Sequence, residues 1–211
     1  YLLSLFLFFP FIAEGEPGDL IEYNYQESID LTAIEIGFTI VGGLGFATPE
    51  YTISCYDVKY QSENSEGNLD TLSGLVVIPN SATQAFPRLS YQRGTGILDE
   101  EAPSNSGLSL SNLEVFLVGY LATTSGFITL IPDYVGLGNP NLYHPYHIKD
   151  SYIRAIVHMI RAVKQLSKLL PIENSFQNND QLFLAGYSEG GYATLAAQSG
   201  ICLLYTSDAA D

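Results

Sequence analysis

The residues best suited to chemistry are Gly186-Tyr187-Ser188-Glu189-Gly190-Gly191. An apolar run, Leu182-Phe183-Leu184-Ala185, leads into them, and a helix-forming run follows. G-x-S-x-G in that setting is the layout of a nucleophile elbow, a sharp strand-to-helix turn that presents a serine hydroxyl. So tight a turn leaves no room for side chains two residues before or after the serine, and Gly186 and Gly190 supply that room. Gly191 and Ala193 are expected to let the following helix lie close to the sheet. The chemistry would be nucleophilic attack by Ser188, with the Glu189 backbone N–H, at the helix start, facing the oxyanion that develops.

The elements that must hold this turn follow from periodicity. Alternation over 53–61 and an apolar return over 69–78, joined by a polar loop with Gly67, predict a hairpin whose first strand is of edge type. Further strands are expected at 88–92, 127–132 and 181–185. Residues 110–124 place 113, 116, 117, 120 and 121 on one helical face. A long helix is expected from Asp150 or Ser151 through Leu169, with Ile153, Ile156, Val157, Ile160, Val163 and Leu166 inward. Residues 28–38 read as a capped helix, although their aliphatics also fit a strand, 18–26 as irregular and 174–180 as a loop. Strands alternate with helices from residue 87 onward, so the fold class is α/β: a hairpin followed by a mostly parallel sheet with flanking helices.

The chain has 211 residues and is 46% hydrophobic, enough for one domain with a sizeable core. It carries 23 Asp and Glu against 8 Lys and Arg, a net charge of −15. That balance argues against nucleic acid and anionic membrane surfaces as partners and reads as a solvated, self-repelling surface. The apolar run over residues 2–13 is too short to span a bilayer comfortably. It reads as the hydrophobic region of a signal peptide, so residues 1–15 are taken as a leader remnant and the protein as secreted or periplasmic, without a stable membrane anchor. Residues 202–211 look like the translation of a sequencing-library adapter and are set aside. Cys55 is then the remaining cysteine and reads as a small core residue.

Several short motifs recur together. S-Y-Q-R-G-T-G (90–96), E-A-P-S (101–104), P-D-Y-V-G-L-G (132–138), H-P-Y-H (144–147) and G-Y-S-E-G-G (186–191) stand in that order. Over residues 20–201 this set resembles secreted α/β-hydrolases, in the branch of fungal secretory lipases and their bacterial esterase relatives. The resemblance implies the N-terminal part of an α/β-hydrolase domain, ending just after the elbow. It implies ester hydrolysis through an acyl-enzyme on Ser188, with a Ser…Asp…His order along the chain. Glu189 matches the residue whose backbone N–H forms half of the oxyanion hole, and the 92–95 turn matches the loop giving the other half, at Gly94 or Thr95. Relatives usually carry His where this chain has Arg93, which could instead be a surface residue or could bind a substrate carboxylate.

In such a fold the triad Asp and His follow the nucleophile, and both are absent from this chain. His144, His147 and His158 all precede Ser188. His158 reads as a packing or surface residue, and His144 and His147 as structural residues beside the entrance. The last two could also be half a metal site, but no third ligand stands out, and Asp133 and Asp150 read as loop carboxylates. No metal and no cofactor are expected. The expected partner is a small-molecule or lipid ester, with transient contact at a lipid interface. Tyr134, Tyr143, Tyr146 and Tyr187 would surround the entrance. The 211 residues by themselves are expected to turn over no ester and to fold poorly. Two other readings stand beside this one: a serine aminopeptidase-like hydrolase, and a non-catalytic binding protein of the same fold.

Overall fold

The computed structural model describes residues 15–29, 49–64, 66–81, 83–138, 143–170 and 176–208. Among these, six strands form one sheet: β1 (Leu20–Ile29), β2 (Ile53–Glu63), β3 (Leu69–Pro79), β4 (Ala85–Gln92), β5 (Ile128–Pro132) and β6 (Gln177–Gly186). Their order is β1-β2-β3-β5-β4-β6. The first four in that order pair antiparallel, and β4 pairs parallel with both β5 and β6. The helices are α1 (Pro103–Ser106), α2 (Leu113–Thr124), α3 (Lys149–Leu169) and α4 (Glu189–Asp208).

The central strands read as unbroken apolar runs because both faces of the sheet are covered. On one side Tyr56, Val58, Val76, Ile78, Ile128 and Leu130 pack with Ala155, Ile156, Met159 and Val163 of α3 and with Ala193 and Ala197 of α4. On the other side Cys55, Leu75, Val77 and Ile131 pack with Val115 and Tyr120 of α2. Neighbours along one strand thus enter opposite layers, as the period of two requires. The two layers put the elbow, at the end of β6, on a rigid support.

Several expectations change here. Residues 20–29 form β1 rather than irregular chain, so β2 is an interior strand and not an edge. Tyr23 and Tyr25 of β1 meet Tyr56 edge-on at ring distances of 6.4 and 5.6 Å, and Glu22 pairs with Lys59 at 2.9 Å. Ser28 and Ile29 end this strand, and the rest of the helix expected over 28–38 lies outside the described residues, as does the apolar run 2–13. β6 starts at Gln177, inside the expected loop, because β4 extends back to Ala85 and offers it a partner. β4 contains Pro87, whose missing N–H is accommodated where the register between β4 and β6 slips between Phe86 and Arg88.

Helix α2 forms as expected but buries Val115, Gly119, Tyr120, Thr123 and Thr124, while Leu113 is exposed. Gly119 sets that face: a Cβ there would lie 2.7 Å from Leu108 Cδ2. Thr123 stays in the core because its hydroxyl donates to Thr129 Oγ1 at 2.8 Å. Helix α4 approaches the sheet through Gly190, Ala193 and Ala197, not through Gly191, which faces open space. It continues through Cys202 to Asp208 without a break.

Candidate active site at the strand to helix turn

β6 ends at Gly186 and α4 starts at Glu189, leaving Tyr187 and Ser188 to make the turn. Ser188 is exposed and sits at φ 55°. That left-handed conformation is costly for a residue with a Cβ and persists where surroundings enforce it. The enforcing bonds are visible. Gly190 N donates to Tyr187 O at 2.8 Å and Gly191 N to Ser188 O at 3.0 Å, while Tyr187 N donates to Gln92 O, at the end of β4, at 3.2 Å. A Cβ at Gly186 would stand 2.2 Å from Gly190 O, and one at Gly190 would stand 1.8 Å from Gln92 O. The serine hydroxyl is therefore held at the C-terminal end of the sheet, where a parallel sheet places its ligands.

Behind the serine, the Glu189 side chain is buried. Tyr152 O–H donates to Glu189 Oε1 at 2.5 Å, and His144 Nε2 stands 3.0 Å from the same oxygen. His144 Nδ1 faces Val135 O at 2.8 Å. Burial by itself would raise the Glu189 carboxyl, but hydrogen bonds from His144, Tyr152 and Thr95 outweigh it and hold the group below the usual carboxylate range. The Glu189 backbone N–H donates to no described residue.

Tyr152 also accepts the His147 N–H at 3.0 Å, so its one hydroxyl serves two segments. Tyr152→Phe removes both bonds in a buried setting. It is expected to lower unfolding free energy by about 1–3 kcal/mol, checked by urea denaturation.

The 92–95 turn lies beside this unit. Gly94 N–H is committed: it donates to Glu114 Oε1 at 2.8 Å, and Tyr91 O–H donates to the same atom at 2.9 Å. Thr95 N–H donates to no described residue, and Thr95 is exposed with its Oγ1 3.5 Å from Tyr146 OH. Arg93 is not on the surface. It is 4% exposed, with its guanidinium packed under Gly96, where a Cβ would lie 1.9 Å from Nη2. A side chain so enclosed cannot reach a substrate carboxylate. Its positive charge acts on Asp133 and Glu101 instead.

Asp133 is fully buried and accepts hydrogen bonds from Ser73 Oγ at 2.6 Å, from Ser104 N at 2.9 Å and from Ser104 Oγ. Burial raises its carboxyl despite these donors and Arg93. It ties the E-A-P-S segment to the end of β5.

The three histidines do different work. His144 braces Glu189, and His147 stacks between Tyr146 and Tyr192 at 4.0 and 4.8 Å. His158 is buried in α3 with Nδ1 2.8 Å from Ser62 Oγ. Among the described residues none of them hydrogen bonds to Ser188, and no group of three His, Cys, Asp or Glu could hold a metal ion. Burial, with Arg161 and Arg154 nearby, pushes His158 down to about 4. The unfolded chain then takes the proton first. Stability from this group is complete above about pH 6.5 and is lost as pH falls toward 4, by at most about 3 kcal/mol. Unfolding free energies at pH 7.5 and 4.5 should differ less in His158→Gln than in the native sequence.

Glu114, Tyr152 and the side chain of Glu189 carry no sequence signal of their own. Each matters through a partner far along the chain, and periodicity cannot show that. Also among the described residues, no helix is long and apolar enough to cross a membrane.

No protein-family model matches the sequence, and no curated protein matches it. Solved structures do. A Legionella pneumophila protein provisionally described as a hydrolase is 28% identical with a TM-score of 0.76, aligned over 89% of this chain and 48% of its own. The rice cell wall degrading esterase LipA from Xanthomonas oryzae is 21% identical with a TM-score of 0.74, over 89% and 46%. Candida antarctica lipase A in its closed state is 20% identical with a TM-score of 0.58, over 87% and 38%. The chain spans about half the length of the first two of these proteins. It has the α/β-hydrolase fold, in a form similar to that of esterases and lipases.

Proposed function

We propose that this chain belongs to a secreted or periplasmic serine hydrolase that cleaves carboxylic esters, small or lipid, through an acyl-enzyme on Ser188. The observation that carries the reading is the exposed serine held at φ 55° between β6 and α4. Ser188 Oγ attacks the acyl carbonyl, forming a C–O bond, and the carbonyl oxygen takes up the negative charge. The Glu189 N–H and one N–H of the 94–95 turn stabilise that oxyanion. Collapse of the tetrahedral intermediate expels the alcohol, and water then releases the acid and restores the serine. The base that takes the serine proton, and the acid that orients it, are expected to follow Ser188 in the longer protein, because His144, His147 and His158 are occupied elsewhere.

The neighbours support an ester substrate by analogy of fold. Of the tyrosines expected at the entrance, Tyr134 is buried, while Tyr143, Tyr146 and Tyr187 are exposed and support an apolar one. The test uses a fluorophosphonate on the full-length protein, followed by peptide mass spectrometry. Label on Ser188, together with turnover of nitrophenyl esters, is the expected result. Label elsewhere, or turnover of aminoacyl amides but not of esters, would refute the reading.

A further inference from the structure

The second oxyanion donor can be narrowed to one residue, and the carboxylate that selects it can be named. Two peptide N–H groups of the turn are available on sequence grounds, Gly94 and Thr95. Gly94 N–H is bound to Glu114 Oε1 at 2.8 Å, and Tyr91 O–H, at 2.9 Å, holds that oxygen from the other side. Glu114 itself is aimed by the start of α2. Asn112 caps that helix by accepting from Val115 N at 3.4 Å, and its amide donates to Glu101 O at 2.8 Å and to Ser106 Oγ at 3.3 Å. Glu114 is the second residue of that anchored turn.

The turn is also closely packed at Gly94: a Cβ there would lie 3.1 Å from Glu114 Oε2 and 3.3 Å from the Tyr187 ring. Thr95 is the next peptide along. Its N–H donates to no described residue, and its hydroxyl hydrogen bonds to the Glu189 carboxyl.

We infer that Glu114 is a positioning residue for this site: by taking the Gly94 N–H, it fixes the turn so that the Thr95 N–H, with that of Glu189, receives the oxyanion. The inference rests on the ester hydrolase reading above. A carboxylate beside an oxyanion would otherwise be unfavourable. Here Oε1 is already saturated by two donors, which limits its repulsion.

Two measurements test it. Amide hydrogen exchange on the full-length protein reads the bond directly: Gly94 should be protected, about 10–100-fold less so in Glu114→Ala, and nearly unchanged in Glu114→Gln, whose amide oxygen can still accept. Steady-state kinetics on the full-length enzyme read the consequence. Glu114→Ala should lower kcat about 10–100-fold with KM within about twofold, and Glu114→Gln should recover most of kcat. An unprotected Gly94, or protection that survives Glu114→Ala, overturns the inference. So does an active enzyme whose kcat ignores Glu114→Ala, which leaves the hydrolase reading intact. A full-length protein that shows the exchange pattern but hydrolyses no ester overturns the hydrolase reading, and the positioning role with it.

Discussion

Gly190→Ala is expected to be the most damaging single methyl group that can be added near the site. Its Cβ would lie 1.8 Å from Gln92 O, 2.5 Å from Gln92 C and 2.7 Å from Arg93 O, all backbone atoms. Backbone cannot rotate away as a side chain can, so β4 and α4 must separate. The cost should be about 3–5 kcal/mol, lowering Tm by roughly 10 °C or preventing folding. The neighbouring glycine is the control. Gly191 has nothing within 4 Å of where its Cβ would be and lies inside helix α4. Gly191→Ala should leave stability equal or raise it by up to about 1 kcal/mol, through helix propensity and a less flexible unfolded chain. Circular dichroism melts of the two variants side by side decide the matter. If Gly190→Ala melts with the native sequence, the clamp between α4 and the end of β4 is not real.

The second large effect lies one turn away and has opposite signs in two measurements. If the proposed function holds, Ser188→Ala and Ser188→Gly in the full-length protein should each lower kcat for ester hydrolysis by at least about 10³-fold, since both remove the proposed attacking oxygen. Ser188→Gly should at the same time raise stability by about 1 kcal/mol, because glycine adopts φ 55° at little cost. Alanine keeps a Cβ in the left-handed region and should gain nothing. Residual activity near native in Ser188→Ala would remove Ser188 from the mechanism. A destabilised Ser188→Gly would mean that the turn is not strained.

Much of this architecture can be read from the residues alone, and the exceptions share one cause. Strands β3 and β5 and helix α3 declare themselves because their apolar spacing is decided by the element itself. β1 does not, because Leu20–Ile29 becomes a strand by laying Tyr23 and Tyr25 on Tyr56 of a neighbour. The buried face of α2 is set by where Gly119 meets Leu108, not by which residues are most apolar. Arg93 looks like a surface cation in sequence, yet Gly96 leaves space for its guanidinium inside. At the elbow, the glycines announce the turn because a steric rule ties their type to their spacing around Ser188. The carboxylates that brace it, Glu114 and Glu189, follow no comparable rule, since their partners Tyr91, His144 and Tyr152 come from other elements.

The position of β4 between β5 and β6 has a consequence for the order in which the molecule assembles. The elbow rests on the pairing of Gln92 with Gly186. Between those residues the chain must first pass through α1, α2, β5 and α3. The hairpin of β2 and β3 closes a short loop and can form early, whereas the β4–β6 pairing closes one of the longest loops in the sheet. Ser188 is therefore expected to reach its exposed, left-handed position late in folding, together with the packing of Ala193 and Ala197 of α4 on the sheet. On partial opening this pairing should release first, so Gly186 and Gly190 should exchange their amide hydrogens faster than the amides of β3.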